Sequence, residues 1–193
     1  MDLKTYTKES ARTAKDTAED VYPRVKNVEI DQGVEICTLT QQRSIDILHG
    51  ILGMAGEMGE LSRAKQDGKV HEIVEEVGDF VWYGAVVARA MNWQMDRYLS
   101  KELLDNNFYA LTLEQGVGKL AEILKKWLMY GKPINEKLLM DGWYEAMGAA
   151  INTIGDWEGF EQDVLEMNIQ KLRKRYPDKF TEEAAIARAD KAD

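Results

Sequence analysis

The chain is poor in the residues that staple, kink or anchor a protein. Its 193 residues include one cysteine, two histidines and three prolines. Cys37 alone cannot close an intramolecular disulfide, and with neither histidine near it in sequence it reads as an inert side chain rather than a nucleophile. No stretch approaches the ~20 consecutive apolar residues that span a bilayer, so no membrane partner is expected. The opening MDLKTYTKESARTAKD carries no apolar h-region. With so little cysteine, that leads to the expectation of a reducing cytoplasm. Positive charge is also scarce, 25 Lys and Arg against 34 Asp and Glu for a net charge of −9. Broad attraction to a nucleic-acid backbone is therefore not expected, whereas a local basic patch or a small anion held through a cation is compatible with that charge.

What the chain has instead is helical periodicity. The prolines Pro23, Pro133 and Pro177 fall where segments should end or turn. The pattern predicts an all-α fold, a helical bundle built on antiparallel helix hairpins. Helices are expected over about 3–20, 41–66, 69–91, 95–105, 112–130, 135–154 and 160–176. A looser stretch lies around Pro23 and Gly33, where VEICTL is the one weak strand candidate, and an acidic, alanine-rich tail follows Pro177. The expected organisation is an arm over 1–40, a hairpin over 41–105, and a second hairpin with a basic C-terminal helix over 106–193, packed as one unit.

Within the first hairpin, Glu57, Glu60, Glu76 and Asp79 form two i,i+3 pairs, and residues three apart share a helix face. They are placed nearly symmetrically about Gly68, with Glu60 and Glu76 eight residues from it and Glu57 and Asp79 eleven. If the helices fold back antiparallel, equal rises of ~1.5 Å per residue bring the four carboxylates level. Their i+4 neighbours Leu61, Ala64, Phe80 and Tyr83 are not basic, so no local partner neutralises them. Such a cluster requires protons or cations, and oxygen-only ligands suit a hard cation, Mg²⁺ or Mn²⁺. Gly50, Gly53, Gly56 and Gly59 recur every third position beside the acids. Each costs about 0.5–1 kcal/mol relative to alanine, which calls for a compensating gain: room for a metal or phosphate, or close helix packing. Trp82 and Tyr83 can stack on a base or serve the core. His49 shares the acid-bearing face but reads as packed or solvent-facing, since oxygen-rich Mg²⁺ sites seldom use imidazole, and His71 near the turn reads as exposed.

The two halves also align. EEVGDFVWYGAVVARAMNW (75–93) lies without gaps on LMDGWYEAMGAAINTIGDW (139–157), and Gly131-Lys132-Pro133 stands where Gly68 breaks the first hairpin. This predicts a duplicated hairpin. In that register the four acids fall on Gly116, Lys119, Met140 and Trp143, so the second copy is degenerate and lacks the constellation.

GEMGEL followed by EEVGDFVWY resembles the E-x-x-E, spacer, E-x-x-D pattern of the MazG-like all-α nucleoside triphosphate pyrophosphohydrolases. Fifteen residues separate Glu60 from Glu76, as that family's variable spacer allows. The resemblance covers about 44–93, and MNIQKLRKRYP (167–177) is similar to the family's C-terminal helix. It does not extend to 1–40 or 95–160. It implies Mg²⁺-dependent hydrolysis of nucleoside triphosphates to monophosphate and pyrophosphate in nucleotide-pool control. Glu57, Glu60, Glu76 and Asp79 would then hold the metal and carry the catalysis, one of them as general base, with Asn168, Lys171 and Arg175 on the sugar or phosphates. The basic run Lys171, Arg173, Lys174, Arg175 would equally stabilise a helix C-terminus. Two other classes compete: a non-catalytic nucleotide- or metal-binding helical protein, and a di-iron carboxylate bundle. The latter needs Glu-x-x-His motifs, to which Asp46-x-x-His49 is the one near approach. A homo-oligomer is compatible, with hairpins paired across a dimer or within one chain.

Overall fold

The computed structural model describes residues 23–26, 28–33, 35–100, 112–155, 160–176 and 181–187. The helix expected over 3–20 lies outside them. The described chain runs β1 (Glu29–Asp31), β2 (Ile36–Thr38), α1 (Gln41–Asp67), α2 (Val70–Met91), α3 (Met95–Tyr98), α4 (Leu113–Tyr130), β3 (Ile134–Asn135) and α5 (Glu136–Asn152). A π-helical segment (Phe160–Leu165) then leads into α6 (Glu166–Arg175), and α7 (Glu182–Ala187) follows. The fold is an all-α bundle, as the periodicity predicts.

Cap chemistry sets the helix limits. The side chains of Thr40, Thr112 and Asn135 accept from backbone amides at the starts of α1, α4 and α5. Gly68 and Gly131 close α1 and α4 in the left-handed region, at φ 67° and 63°. Glycine enters that region without a Cβ penalty, so both hairpins turn at equivalent glycines. The helix expected over 95–105 stops at Tyr98, because Leu99 turns to φ −122° and buries its side chain.

A small sheet joins the hairpins. Its order is β2-β1-β3, with Ile30 opposite Cys37 in the antiparallel pair and opposite Ile134 in the parallel one. Only β2 coincides with the strand candidate. The other strands have two or three residues, too few for an alternating pattern to register.

The apolar stripes of α1, α2, α4 and α5 close one core around Ile47, Ile51, Met54, Phe80, Leu120, Leu139, Trp143 and Met147. Trp143, aligned with Asp79 in the repeat register, is fully buried, and its indole N–H donates to the Gly84 carbonyl at 2.9 Å. Lys119, aligned with Glu60, pairs with the buried Glu145. Gly116, aligned with Glu57, lies so close to the Ala146 backbone that a Cβ would collide with it. Core packing and an ion pair between a half-exposed lysine and a buried glutamate therefore stand, in the second hairpin, at the positions that carboxylates hold in the first. No helix among the described residues is long and apolar enough to cross a membrane.

Candidate functional site

The antiparallel packing of α1 on α2 brings Glu57 to Glu76 and Asp79, with one oxygen of each within 4.8 Å of the others. Glu60 lines the same cleft but is exposed and stands outside this group of three. The expectation of four facing carboxylates is thus met by three. Residue i+3 is rotated about 60° around the helix and ~4.5 Å along it from residue i, which moves Glu60 to the cleft's open edge.

Two devices make the crowded charges tolerable. Glu57 keeps a proton: its carboxyl is pushed up to about 8 by burial first, then by the Asp79 charge, a hydrogen bond to Glu76 and the charges of Glu60 and Glu76. Glu76 is raised as well, again chiefly by burial, while its bond to Glu57 opposes the shift. Asp79 instead receives a cation from far along the chain. Lys171 Nζ donates to its two oxygens at 2.6 and 2.5 Å and to Glu75 Oε1 at 3.3 Å, and Asn168 Nδ2 donates to Asp79 Oδ1 at 2.7 Å. A Cβ on Gly78 would stand 3.0 Å from the Asn168 side chain, so glycine there lets α6 settle close enough for these bonds. Sequence spacing gave no neighbour to neutralise Asp79 because its partner is 92 residues away.

Tyr83 lies over Gly53, where any side chain would penetrate the phenol ring. Gly50 serves the same helix crossing, a Cβ there meeting the Tyr83 carbonyl at 2.9 Å, whereas Gly56 and Gly59 face open space. His49 packs edge-on to Tyr83 and Trp82, with centroids at 5.4 and 6.1 Å, and takes no part in the carboxylate group. The Tyr83 phenol is raised by burial and then by the charges of Glu57 and Asp79. His71 is exposed, as expected, and Cys37 is a free, half-buried thiol.

The carboxylates and the His49, Trp82 and Tyr83 rings line a cleft of about 1100 Å³ across one face of the first hairpin. Its walls run from the carboxylates past the rings to Gln42, Asp46 and Arg89, while α6 adds Leu172, Arg173 and Arg175 and its C-cap adds Tyr176. That volume suits a substantial small molecule. Arg175 and Tyr83 therefore line the cleft, whereas Asn168 and Lys171 reach it only through their bonds to Asp79 and line a neighbouring hollow with His71 and Glu75. Gln42, Glu75, Arg89 and Tyr176 did not stand out in the sequence, and Arg173 stood out there only as a helix-end cation. For Gln42 a signal existed: Gln42, Asp46, His49, Gly53, Glu57 and Glu60 continue one helical stripe. An all-oxygen set containing one carboxyl that holds a proton and another that holds an ammonium fits a hard divalent cation in place of both.

No family model, no curated protein and no solved structure matches this chain.

Proposed function

We propose that the chain is a Mg²⁺-dependent nucleotide pyrophosphohydrolase that cleaves (d)NTP to (d)NMP and pyrophosphate and so serves nucleotide-pool control, with Mn²⁺ as an alternative metal. The observation that carries this reading is the convergence of Glu57, Glu76 and Asp79 in a cleft whose remaining walls supply arginines and aromatic rings. Glu57, Glu76 and Asp79 would hold the metal, with Glu60 reaching in from the edge. A Mg²⁺ ion held by these residues would neutralise triphosphate charge and lower the pKa of a bound water.

The chain's own residues supply the rest. Glu57 releases its proton when its charge is compensated. Lys171, which reaches Asp79 from a neighbouring hollow, leaves it and becomes available to a phosphate oxygen, while Arg173 and Arg175 line the cleft itself. Tyr83, held on Gly53, keeps the middle of the cleft rigid and apolar beside the nucleoside.

The di-iron alternative is less favoured, because neither histidine joins the carboxylates. The test is to incubate purified protein with a (d)NTP panel and Mg²⁺ and to look for monophosphate plus pyrophosphate. Turnover should fall at least roughly 100-fold in Asp79→Asn and Glu57→Gln. Wild-type protein that turns over no nucleotide, or variants as active as wild type, would refute the assignment.

A further inference from the structure

We propose that the end of the cleft remote from the carboxylates reads the nucleobase, and that Asp46 and Arg89 select guanine. This rests on the nucleotide reading above. Asp46 lies eleven residues before Glu57 on the same face of α1, about 16 Å away along the helix, and both line the one cleft. Phosphates at the carboxylates therefore direct the other end of the ligand past the Tyr83, Trp82 and His49 rings toward Asp46. Arg43 Nε donates to the Ala90 carbonyl at 2.5 Å, joining the first turn of α1 to the last turn of α2. That contact holds together the helix ends that carry Asp46 on α1 and Arg89 on α2, and both residues line the cleft.

The polar groups there have a definite pattern. Gln42 Nε2 donates to Asp46 Oδ1 at 2.9 Å, which orients the carboxylate, and among the described residues no cation is paired with it. A carboxylate only accepts hydrogen bonds, and guanidinium only donates them. Guanine is the common base that presents two adjacent donors, N1–H and the 2-amino group, on one edge and two acceptors, O6 and N7, on the other. Asp46 matches the first pair and Arg89 the second. Adenine and cytosine set a ring acceptor beside their amino donor. Uracil and thymine flank one imino donor with carbonyls that the carboxylate repels.

The experiment is calorimetric titration of the full chain, with Mg²⁺, by the α,β-methylene analogues of GTP, UTP and xanthosine triphosphate. Wild type should bind the guanosine analogue roughly ten- to a hundredfold more tightly than the uridine analogue, the range of one good bidentate contact. Asp46→Asn should lose that preference and favour the xanthosine analogue, because an amide offers one acceptor to N1–H and one donor to the xanthine 2-oxo group. A wild-type ratio under about threefold, or an Asp46→Asn variant that still prefers guanosine, overturns the proposal. Hydrolysis of the parent triphosphates is followed separately. Guanosine-selective binding without turnover would remove the pyrophosphohydrolase reading and leave base selection standing. Turnover indifferent to the base would do the reverse, and no binding of any analogue would overturn both.

Discussion

Replacing Glu57 by glutamine keeps the shape of the side chain and removes its titration. Free of metal, the folded protein holds a proton on Glu57 up to about pH 8, against an ordinary value of 4.5. The folded state thus binds that proton more tightly than the unfolded state does. Stability from this group is complete below about pH 4.5, declines as pH rises, and is gone above about pH 8, where the ionised carboxylate faces Glu76 and Asp79. Fully expressed, a gap of that size would be worth roughly 5 kcal/mol. Because Glu57 is only half-buried, solvent screening reduces it to about 1–2 kcal/mol. Glutamine carries no charge at any pH. Glu57→Gln should therefore match wild type at pH 5 and exceed it at pH 8.5, by about 2–8 °C in Tm for a chain of this size. Divalent cation should reverse the order, since Mg²⁺ at a hundredfold excess over its Kd stabilises a competent site by about 2.7 kcal/mol. Thermal scans with EDTA and with Mg²⁺, at matched ionic strength and both pH values, make the measurement. A variant no more stable than wild type at pH 8.5 without metal, or a gap of equal size at pH 5, would refute the electrostatic reasoning. A cation shift kept intact in the variant would refute the metal site.

Lys171→Met removes the ammonium bonded to Asp79. It should lower metal-free stability by about 1–3 kcal/mol in denaturant titration and tighten Mg²⁺ binding in the absence of nucleotide, as measured by calorimetry. Gly53→Ala and Gly56→Ala should diverge: the first collides with Tyr83 and loses about 1–3 kcal/mol, while the second adds a methyl to open helix surface and gains about 0.5–1 kcal/mol. Lys119→Met leaves the buried Glu145 without its cation and should cost about 1–3 kcal/mol, with the Mg²⁺-induced Tm shift unchanged because among the described residues the second hairpin brings no three acids together.

Much of this arrangement is readable along the chain wherever the cause is local. The two hairpins follow from helical periodicity and from glycines at their turns, and α1, α2 and α4 fall within a residue or so of the expected limits. The carboxylates on α1 and α2 were equally visible, since i,i+3 spacing and the distance from Gly68 are properties of short segments. The short strands β1 and β3 were not, because two or three residues carry no period and the pairing of Ile30 with Ile134 spans the chain. Nor was the division between Gly50 and Gly53, which helix contacts require, and Gly56 and Gly59, which they do not.

Local patterns along the chain establish an all-α protein with one hairpin whose acids have no local partner and a second hairpin that lacks them. Repeat distances of a few residues encode helix faces, and a helix face decides which side chains can meet. How the acids are compensated depends on contacts between segments far apart in the chain. The partner of Asp79 comes from α6, Glu60 is rotated to the cleft's edge, and the cleft extends to Asp46 and Arg89. Those outcomes depend on how closely separate helices approach, and that distance is set by the packed core and by glycines such as Gly78 rather than by any local pattern.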